Sequence, residues 1–221
     1  MTRPLVTGYN WAPDRGMGLV RDMRVRWALE EVGQDYAERH LDWGEQKAPA
    51  HCARNPFGQV PTYEEDGLVL FESGAIVLHV ARRWPGLLPS DPAAQERAVQ
   101  WLFAALNTVE PVVWDRVIAV IVDGQQPWAQ DRLPGVLERL HNRLRELSAA
   151  LGDAQWLDGD FSAADLMMVQ VLRHVNDPAI LGTYPNLAAY VERGMARPAF
   201  TRALGRLRAG LTGQPPANWP R

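Results

Sequence analysis

The chain has 221 residues, of which 47% are hydrophobic, so it is long enough to bury a sizeable core. Its 23 basic and 26 acidic residues leave a net charge of −3, which argues against a nucleic-acid partner. The sequence has no apolar run of about 18 residues and no signal-peptide pattern after Met1, so we expect no membrane partner and a cytoplasmic location.

The first 84 residues alternate between strand-like and helical stretches, which favours an α/β domain. The predicted elements are a strand over 4–9, a helix over 18–32, a strand over 36–41, a hairpin over 62–71 and a helix over 73–84. The hairpin turns at Asp66-Gly67, the kind of dipeptide best suited to a tight turn. In the last helix, apolar residues from Ile76 to Trp84 recur at helical spacing, which predicts one face packed on the sheet.

Beyond prolines 85, 89 and 92 the strand signals stop, so we expect a second, all-helical domain over 93–221. The predicted helices cover 93–122, a leucine-striped stretch over 137–151, a stretch opening at 162, then 185–196 and 199–209. Ser162 and Asp165 have the spacing of a capping box, which starts a helix. The last eight residues, with Pro215, Pro216 and Pro220, are expected to be irregular.

The number and spacing of the cysteines and histidines limit the metal and redox chemistry that the chain can support. Cys52 is the only cysteine, which excludes an internal disulfide and a thiolate-rich metal site. The five histidines lack close spacing on any predicted helix face. We therefore expect neither a metal nor a redox cofactor.

A proline between a loop and a strand marks the first candidate site residue. A cis peptide at Val60-Pro61 would turn the backbone of Val60 outward, where its N–H and C=O could pair with an extended peptide. An ordinary turn proline is the alternative, and the local spacing leaves both open.

Two polar residues at a predicted helix start supply the second candidate. A helix beginning at Ser73 directs unpaired backbone N–H groups at a ligand and favours a bound carboxylate. The Ser73 hydroxyl adds a donor, and Glu72 could pair with an ammonium group. Ser73 could instead cap only its own helix. Together with Val60-Pro61, however, the pattern predicts a site for a small peptide and points to glutathione.

Several of these motifs resemble the amino-terminal domain of the cytosolic glutathione transferases, with phi- and theta-like glutathione-binding motifs. The resemblance lies in Asn55–Pro61, the Asp66-Gly67 turn and Glu72–Ile76. Gly44–His51 is similar to a loop of plant phi-like and related bacterial members, and Ser162–Asp165 resembles the family's helix-capping motif. The resemblance implies a thioredoxin-like domain, an all-helical domain after it, and a homodimer.

The resemblance also assigns roles in binding glutathione. It implies that Glu72 and Ser73 hold the γ-glutamyl end and that Val60 pairs with the cysteinyl backbone. Gln59 and Lys47 would reach the glycyl carboxylate, although Lys47 could equally be a solvated loop lysine.

The group that stabilises the glutathione thiolate is the point where the motifs depart from the family. Members carry a Tyr, Ser or Cys after the first strand, but here the position of the phi-type serine falls near Leu19. Tyr9, at the end of the first predicted strand, is the predicted catalytic residue and would donate to the sulfur. Asn10, Trp11 and Arg15 carry N–H donors in the same segment, and a packed, non-catalytic Tyr9 is a further alternative.

The activity that the resemblance implies is transfer of glutathione to a small hydrophobic electrophile, as in detoxification. Glutathione would be a co-substrate rather than a cofactor. The electrophile is expected between the domains, over the long helix that carries Trp101, Phe103, Asn107, Glu110 and Trp114. Two alternatives remain: a non-catalytic glutathione- or ligand-binding protein of the same fold, and a glutathione-dependent lyase or isomerase.

Overall fold

The computed structural model describes residues 2–217 and Trp219. The chain divides into two compact units, one holding the residues up to Leu87 and those from Arg197 onwards, the other Leu88–Ala196. The sequence predicts domains over 1–84 and 93–221, which places the residues after Ala196 in the second domain. In the structure, these residues belong to the first unit.

A four-stranded sheet forms the centre of the first unit, in the order β2-β1-β3-β4. The strands are β1 (Leu5–Tyr9), β2 (Ala37–Leu41), β3 (Thr62–Glu65) and β4 (Leu68–Phe71). β1 runs parallel to β2 and antiparallel to β3, and β3 and β4 form the predicted hairpin. Asp66 and Gly67 both have positive φ, at 47° and 84°, as the tight turn requires. This mixed sheet confirms the predicted thioredoxin-like domain.

The helices of the described residues complete both units. They are α1 (Asp22–Glu31), α2 (Pro49–Cys52), α3 (Ser73–Arg83), α4 (Pro92–Ala104), α5 (Glu110–Val117), α6 (Ala129–Leu151), α7 (Ala163–Arg173), α8 (Pro178–Gly182), α9 (Pro185–Met195) and α10 (Pro198–Gly210). π-Helical segments at Ala105–Val109 and Ile118–Val122 join and extend α4 and α5, so the predicted long helix is present. The second unit is therefore helical, as predicted.

α1 begins at Asp22, later than the predicted start at Gly18. Asp14 holds the preceding residues in a loop, because its carboxylate accepts hydrogen bonds from the backbone N–H groups of Gly16 and Leu19 at 3.0 and 2.5 Å. Gly16 and Gly18 have φ of 77° and 74°, which an α-helix cannot accommodate. The apolar pattern of the sequence does not reveal this loop.

α1 contacts both the sheet and α10. A Cβ on Gly8 of β1 would lie 2.5 Å from the Asp22 carboxylate, so the missing side chain is what allows α1 to approach β1. On the α10 side, the buried Trp27 ring meets Phe200 edge to face, with centroids 5.1 Å apart. α10 thereby becomes part of the core of the first unit.

The second unit confirms two local predictions. Leu140, Leu144, Leu147 and Leu151 of α6 are buried, as the leucine stripe predicts, whereas Leu137 at the start of the stripe is half-buried. The capping box forms at α7: Ser162 Oγ accepts from the Ala164 N–H, and Asp165 Oδ2 accepts from the Ser162 N–H at 2.9 Å.

The chain after α10 contains neither helix nor strand at residues 211–217 and Trp219, in line with the predicted irregular tail. Pro220, which belongs to that prediction, lies outside the described residues. In the part of the chain that the structure describes, no helix is both long and apolar enough to cross a membrane. The same residues contain no cluster of histidine, cysteine and acidic side chains that could hold a metal.

Candidate functional site

The residues that carry the sequence prediction meet at a small depression in the first unit. It is lined by Arg21, Asn55, Gln59, Val60, Pro61, Glu72 and Ser73, and we call it the Val60 groove. The loop before β3, the start of α3 and the residue before α1 each contribute to it. Four of the predicted binding residues are therefore brought together: Gln59, Val60, Glu72 and Ser73.

The backbone of Val60 is open to a ligand. The Val60-Pro61 peptide is cis, as in the first of the two alternatives that the sequence left open. Neither the N–H nor the C=O of Val60 bonds to another described residue. Unpaired backbone groups on a half-buried residue are suited to pairing with an extended peptide.

The loop before Val60 is fixed from within by two buried side chains. Asn55 Nδ2 and His51 Nε2 both donate to the Gln59 carbonyl, at 2.9 Å each. Asn55 Oδ1 in turn accepts from the Phe57 N–H at 3.0 Å. The Gln59 carbonyl is thus engaged, while the Gln59 side chain stays exposed beside the groove.

The start of α3 presents a carboxylate and a hydroxyl to the groove. Glu72 is the N-cap residue, with its carbonyl accepting from the Ile76 N–H at 3.0 Å. Its φ of 68° is uncommon for a residue other than glycine, and such conformations cluster at ligand sites. The Glu72 side chain makes no capping bond, so neither it nor Ser73, which is already inside the helix, serves as a side-chain cap.

Arg24 sets the direction in which the Ser73 hydroxyl can donate. Arg24 Nη1 donates to Ser73 Oγ at 3.2 Å, and both side chains are buried. Because the oxygen already accepts from a cation, the hydroxyl proton is available for an acceptor in the groove. A carboxylate is the acceptor that suits this arrangement.

Arg21 lines the groove and was not among the residues that the sequence predicts. It is the N-cap residue of α1 and is half-buried. A guanidinium at this place favours an anion, whether carboxylate or thiolate. The resemblance could have pointed to Arg21, since members of the resembled family carry their activating residue near the start of the first helix.

Lys47 lies beside the groove loop but not among the lining residues of the groove. It ends a 3-10 turn over Glu45–Lys47, and its ammonium donates to the Phe57 carbonyl at 2.8 Å. The side chain crosses Gly58, where an added Cβ would lie 2.8 Å from Lys47 Cδ. Its role toward a glycyl carboxylate stays a prediction.

Tyr9 ends β1, as predicted, but it is not a lining residue of the Val60 groove. Its ring packs on Trp43, with centroids 4.9 Å apart. Burial, with a contribution from the Asp22 carboxylate, raises the pKa of Tyr9 to about 12. The phenol therefore keeps its proton at neutral pH and remains able to donate.

The other donors of the β1–α1 segment are also absent from the lining of the groove. Asn10 Nδ2 is bound to the Asp42 carboxylate. Trp11 meets Trp43 and Trp219 edge to face, with centroids 5.8 and 4.9 Å apart. Arg15 lies exposed on the loop.

The predicted acceptor residues of the long helix differ in their surroundings within the second unit. Glu110 is buried and accepts from Trp114 Nε1 at 3.1 Å, which holds both side chains in the unit. Phe103 is 50% exposed, and Asn107 is also exposed. Their part in binding an electrophile stays a prediction.

Comparisons with known proteins converge on one family. Models described as the glutathione S-transferase N-terminal and C-terminal domains match residues 16–82 and 126–193. A probable glutathione S-transferase GSTF2 of Oryza sativa subsp. japonica is 35% identical over 77% of this chain and 85% of its own length. Glutathione S-transferase 4 of Zea mays is 33% identical, over 91% and 93%. The structure of a glutathione S-transferase-I bound with lactoylglutathione has a TM-score of 0.77 at 28% identity, covering 92% of this chain and 99% of its own.

Proposed function

The chain belongs to the glutathione S-transferase family, and on that premise we propose that it transfers the sulfur of glutathione to a small hydrophobic electrophile. The observation that carries the proposal is the Val60 groove, where an unpaired backbone segment faces the start of a helix. Relatives named as glutathione S-transferases match most of the chain. Glutathione acts as a co-substrate that is consumed.

The groove accounts for the charges of glutathione, which has two carboxylates and one ammonium. The Ser73 hydroxyl and the start of α3 bind the γ-glutamyl carboxylate, and Glu72 pairs with the neighbouring ammonium. Val60 pairs with the cysteinyl backbone as an added strand would. Gln59 and Lys47 reach toward the glycyl carboxylate.

The chemical step is attack by the glutathione thiolate on the electrophile. The thiol first loses its proton to solvent water. The thiolate electron pair then forms a bond between sulfur and the acceptor carbon, and either a leaving group departs with its electron pair or the adduct takes up a proton from water. Tyr9 donates a hydrogen bond to the thiolate, and the Arg21 guanidinium adds positive charge near the groove. Each unit by which the thiol pKa falls corresponds to about 1.4 kcal/mol of preference for the anion.

A non-catalytic glutathione carrier is the second candidate, because Leu19 stands near the position of the phi-type serine and has no donor. The carrier and the enzyme share the groove and differ only in turnover. A homodimer, which the resemblance implies, and a cytoplasmic location, which the sequence predicts, remain predictions.

Retention on immobilised glutathione, combined with the rate of conjugation to a general aromatic halide, separates these functions. We expect both retention and conjugation above the uncatalysed rate. Retention without conjugation would support the carrier. A chain that is not retained would contradict both.

A further inference from the structure

His51 is a buried histidine of the first unit that does not line the Val60 groove. It lies in α2 and is 3% exposed. Its Nε2 is 2.9 Å from the Gln59 carbonyl oxygen, and because a carbonyl only accepts, Nε2 carries the proton and donates. Its Nδ1 is also buried and has no hydrogen-bond partner among the described residues. Within the described part of the chain, the ring therefore forms its hydrogen bond with the Gln59 carbonyl alone.

Packing does not explain a histidine at this position. A buried polar atom without a partner is unfavourable, and an apolar side chain of similar size would avoid that loss. What the imidazole adds over such a side chain is one donor, directed at one carbonyl. The effect of that hydrogen bond on the loop is therefore the place to look for a role of His51.

The Gln59-Val60 peptide turns this hydrogen bond into an orientation of Val60. The peptide is trans, since the cis bond of the loop is the next one, at Val60-Pro61. In a trans peptide the C=O and the N–H lie in one plane and point in opposite directions. His51 and Asn55 hold the carbonyl on their side of the loop, so the Val60 N–H points away from them. Val60 lines the groove, and its N–H is unpaired there.

The two donors are themselves fixed relative to each other. The His51 carbonyl accepts from the Asn55 N–H at 3.0 Å, so both donors belong to one turn of the chain. The loop then passes Gly58, where an added Cβ would lie 2.7 Å from the Gln46 carbonyl oxygen, so it packs closely on the segment before α2. The Gln59 carbonyl is thus held in place before a ligand binds, which reduces the ordering that binding requires.

We propose that His51 is a positioning residue for glutathione: its Nε2–H holds the Gln59 carbonyl so that the Val60 N–H faces the carbonyl of the cysteinyl residue. The inference rests on the proposed function, in which Val60 pairs with that residue as an added strand would. His51 acts through the peptide and not on glutathione itself. Because the pairing is the same in the bound substrate and in the transition state, it contributes to glutathione binding and not to turnover at saturation.

Calorimetric titration of glutathione into His51→Gln, His51→Asn and His51→Leu tests the proposal. A glutamine amide reaches as far as Nε2, whereas an asparagine amide reaches only as far as Nδ1, so only glutamine keeps a donor near the Gln59 carbonyl. We expect His51→Leu and His51→Asn to bind glutathione about tenfold more weakly, and His51→Gln to stay within about threefold of the wild type. In all three variants KM for glutathione follows the dissociation constant, while kcat at saturating glutathione stays within about twofold.

The matched control is His141→Leu, which removes a half-buried, hydrogen-bonded imidazole from α6. Its affinity for glutathione equals that of the wild type, and circular dichroism verifies that each variant is folded. Wild-type affinity in His51→Asn and His51→Leu would overturn the proposal, and so would a loss in His51→Gln as large as that in His51→Asn. If His51→Leu does not fold, the comparison of the glutamine and asparagine variants decides.

A truncated probe separates this proposal from the proposed transferase function. γ-Glutamylmethylamide has the γ-glutamyl head but neither the cysteinyl nor the glycyl residue, and its binding is measured by competition with glutathione. It uses the start of α3 and not the Val60 peptide, so the His51 variants bind it like the wild type, whereas Ser73→Ala binds it more weakly. A His51 variant that loses this probe together with glutathione would overturn the positioning role. A wild-type chain that does not bind glutathione would contradict the proposed function itself.

Discussion

At the scale of single residues, the thiolate donor is where this chain departs from the phi-type members of its family. The side chain of Leu19, near the position of the phi-type serine, offers no donor, so the proposed reaction needs another partner for the sulfur. Burial raises the pKa of Tyr9 to about 12, and an ordinary phenol is already protonated at neutral pH, so the Tyr9 hydroxyl is neutral and able to donate a hydrogen bond. Arg21 lines the groove and contributes charge as well as donors.

We expect Tyr9→Phe to lower kcat while the dissociation constant for glutathione is largely kept, because the hydroxyl acts on the sulfur alone. The pH at which the rate is half-maximal rises, since a less stabilised thiolate has a higher thiol pKa. Steady-state kinetics across pH measures both effects.

Tyr36→Phe is the matched control for that measurement. It removes another buried hydroxyl of the first unit, one with no hydrogen-bond partner among the described residues. Its turnover equals that of the wild type. Wild-type turnover in Tyr9→Phe would contradict the role of Tyr9 and transfer it to Arg21, with Arg21→Gln as the next variant.

Most of the groove could be predicted from sequence because its residues lie in two short segments, around Val60 and around Ser73. The geometry of such a short segment is set mainly by residues that are close together in the sequence. Arg21 could not be predicted in the same way, because its position depends on the path of the loop that Asp14 holds together. That loop path depends on two side-chain hydrogen bonds and two glycines with positive φ.

At the scale of elements, the capping box of α7 is the local feature that the spacing of residues in the sequence predicts most directly. Asp165 does more than cap: it also accepts from the Leu157 N–H and from the Tyr190 hydroxyl, each at 2.9 Å. The carboxylate therefore joins the start of α7 to α9 and to the preceding loop. Sequence spacing predicts the cap but not these two further bonds.

Urea denaturation of three variants measures what this network contributes. Ser162→Ala removes one cap and lowers the free energy of unfolding by about 1 kcal/mol. Asp165→Ala leaves several buried donors without an acceptor and costs about 3 kcal/mol or more. Asp153→Ala, at an exposed position, changes the free energy of unfolding by less than about 0.5 kcal/mol. An Asp165→Ala protein as stable as the Asp153 control would contradict this account.

At the scale of the whole molecule, the chain returns to its first unit through α10. Besides Trp27 and Phe200, Arg197 pairs with both carboxylate oxygens of Glu31, at 2.6 and 2.8 Å. Further along the helix, Arg202 donates to one carboxylate oxygen of Glu30 at 2.8 Å and to the Glu30 backbone carbonyl at 2.9 Å. In the sequence these charges look like solvated faces of two separate helices, because the partners are more than 160 residues apart. Only the tertiary structure shows that they meet.

The candidate site likewise depends on the tertiary structure, because residues from the β1–α1 loop, the loop before β3 and the start of α3 form one groove. Among these residues, Ser73 has the best-defined role in binding, because its hydroxyl oxygen already accepts a hydrogen bond from Arg24 and its proton is available to an acceptor. Calorimetric titration of glutathione into the wild type and Ser73→Ala measures that part. The control is Ser148→Ala, which removes a half-buried, hydrogen-bonded serine hydroxyl from α6.

A hydrogen bond to a charged group contributes about 1.5–3 kcal/mol, so Ser73→Ala should bind glutathione about 10- to 100-fold more weakly. Ser148→Ala should bind it with the affinity of the wild type. An unchanged dissociation constant in a folded Ser73→Ala protein would contradict the claim that the start of α3 holds the γ-glutamyl carboxylate.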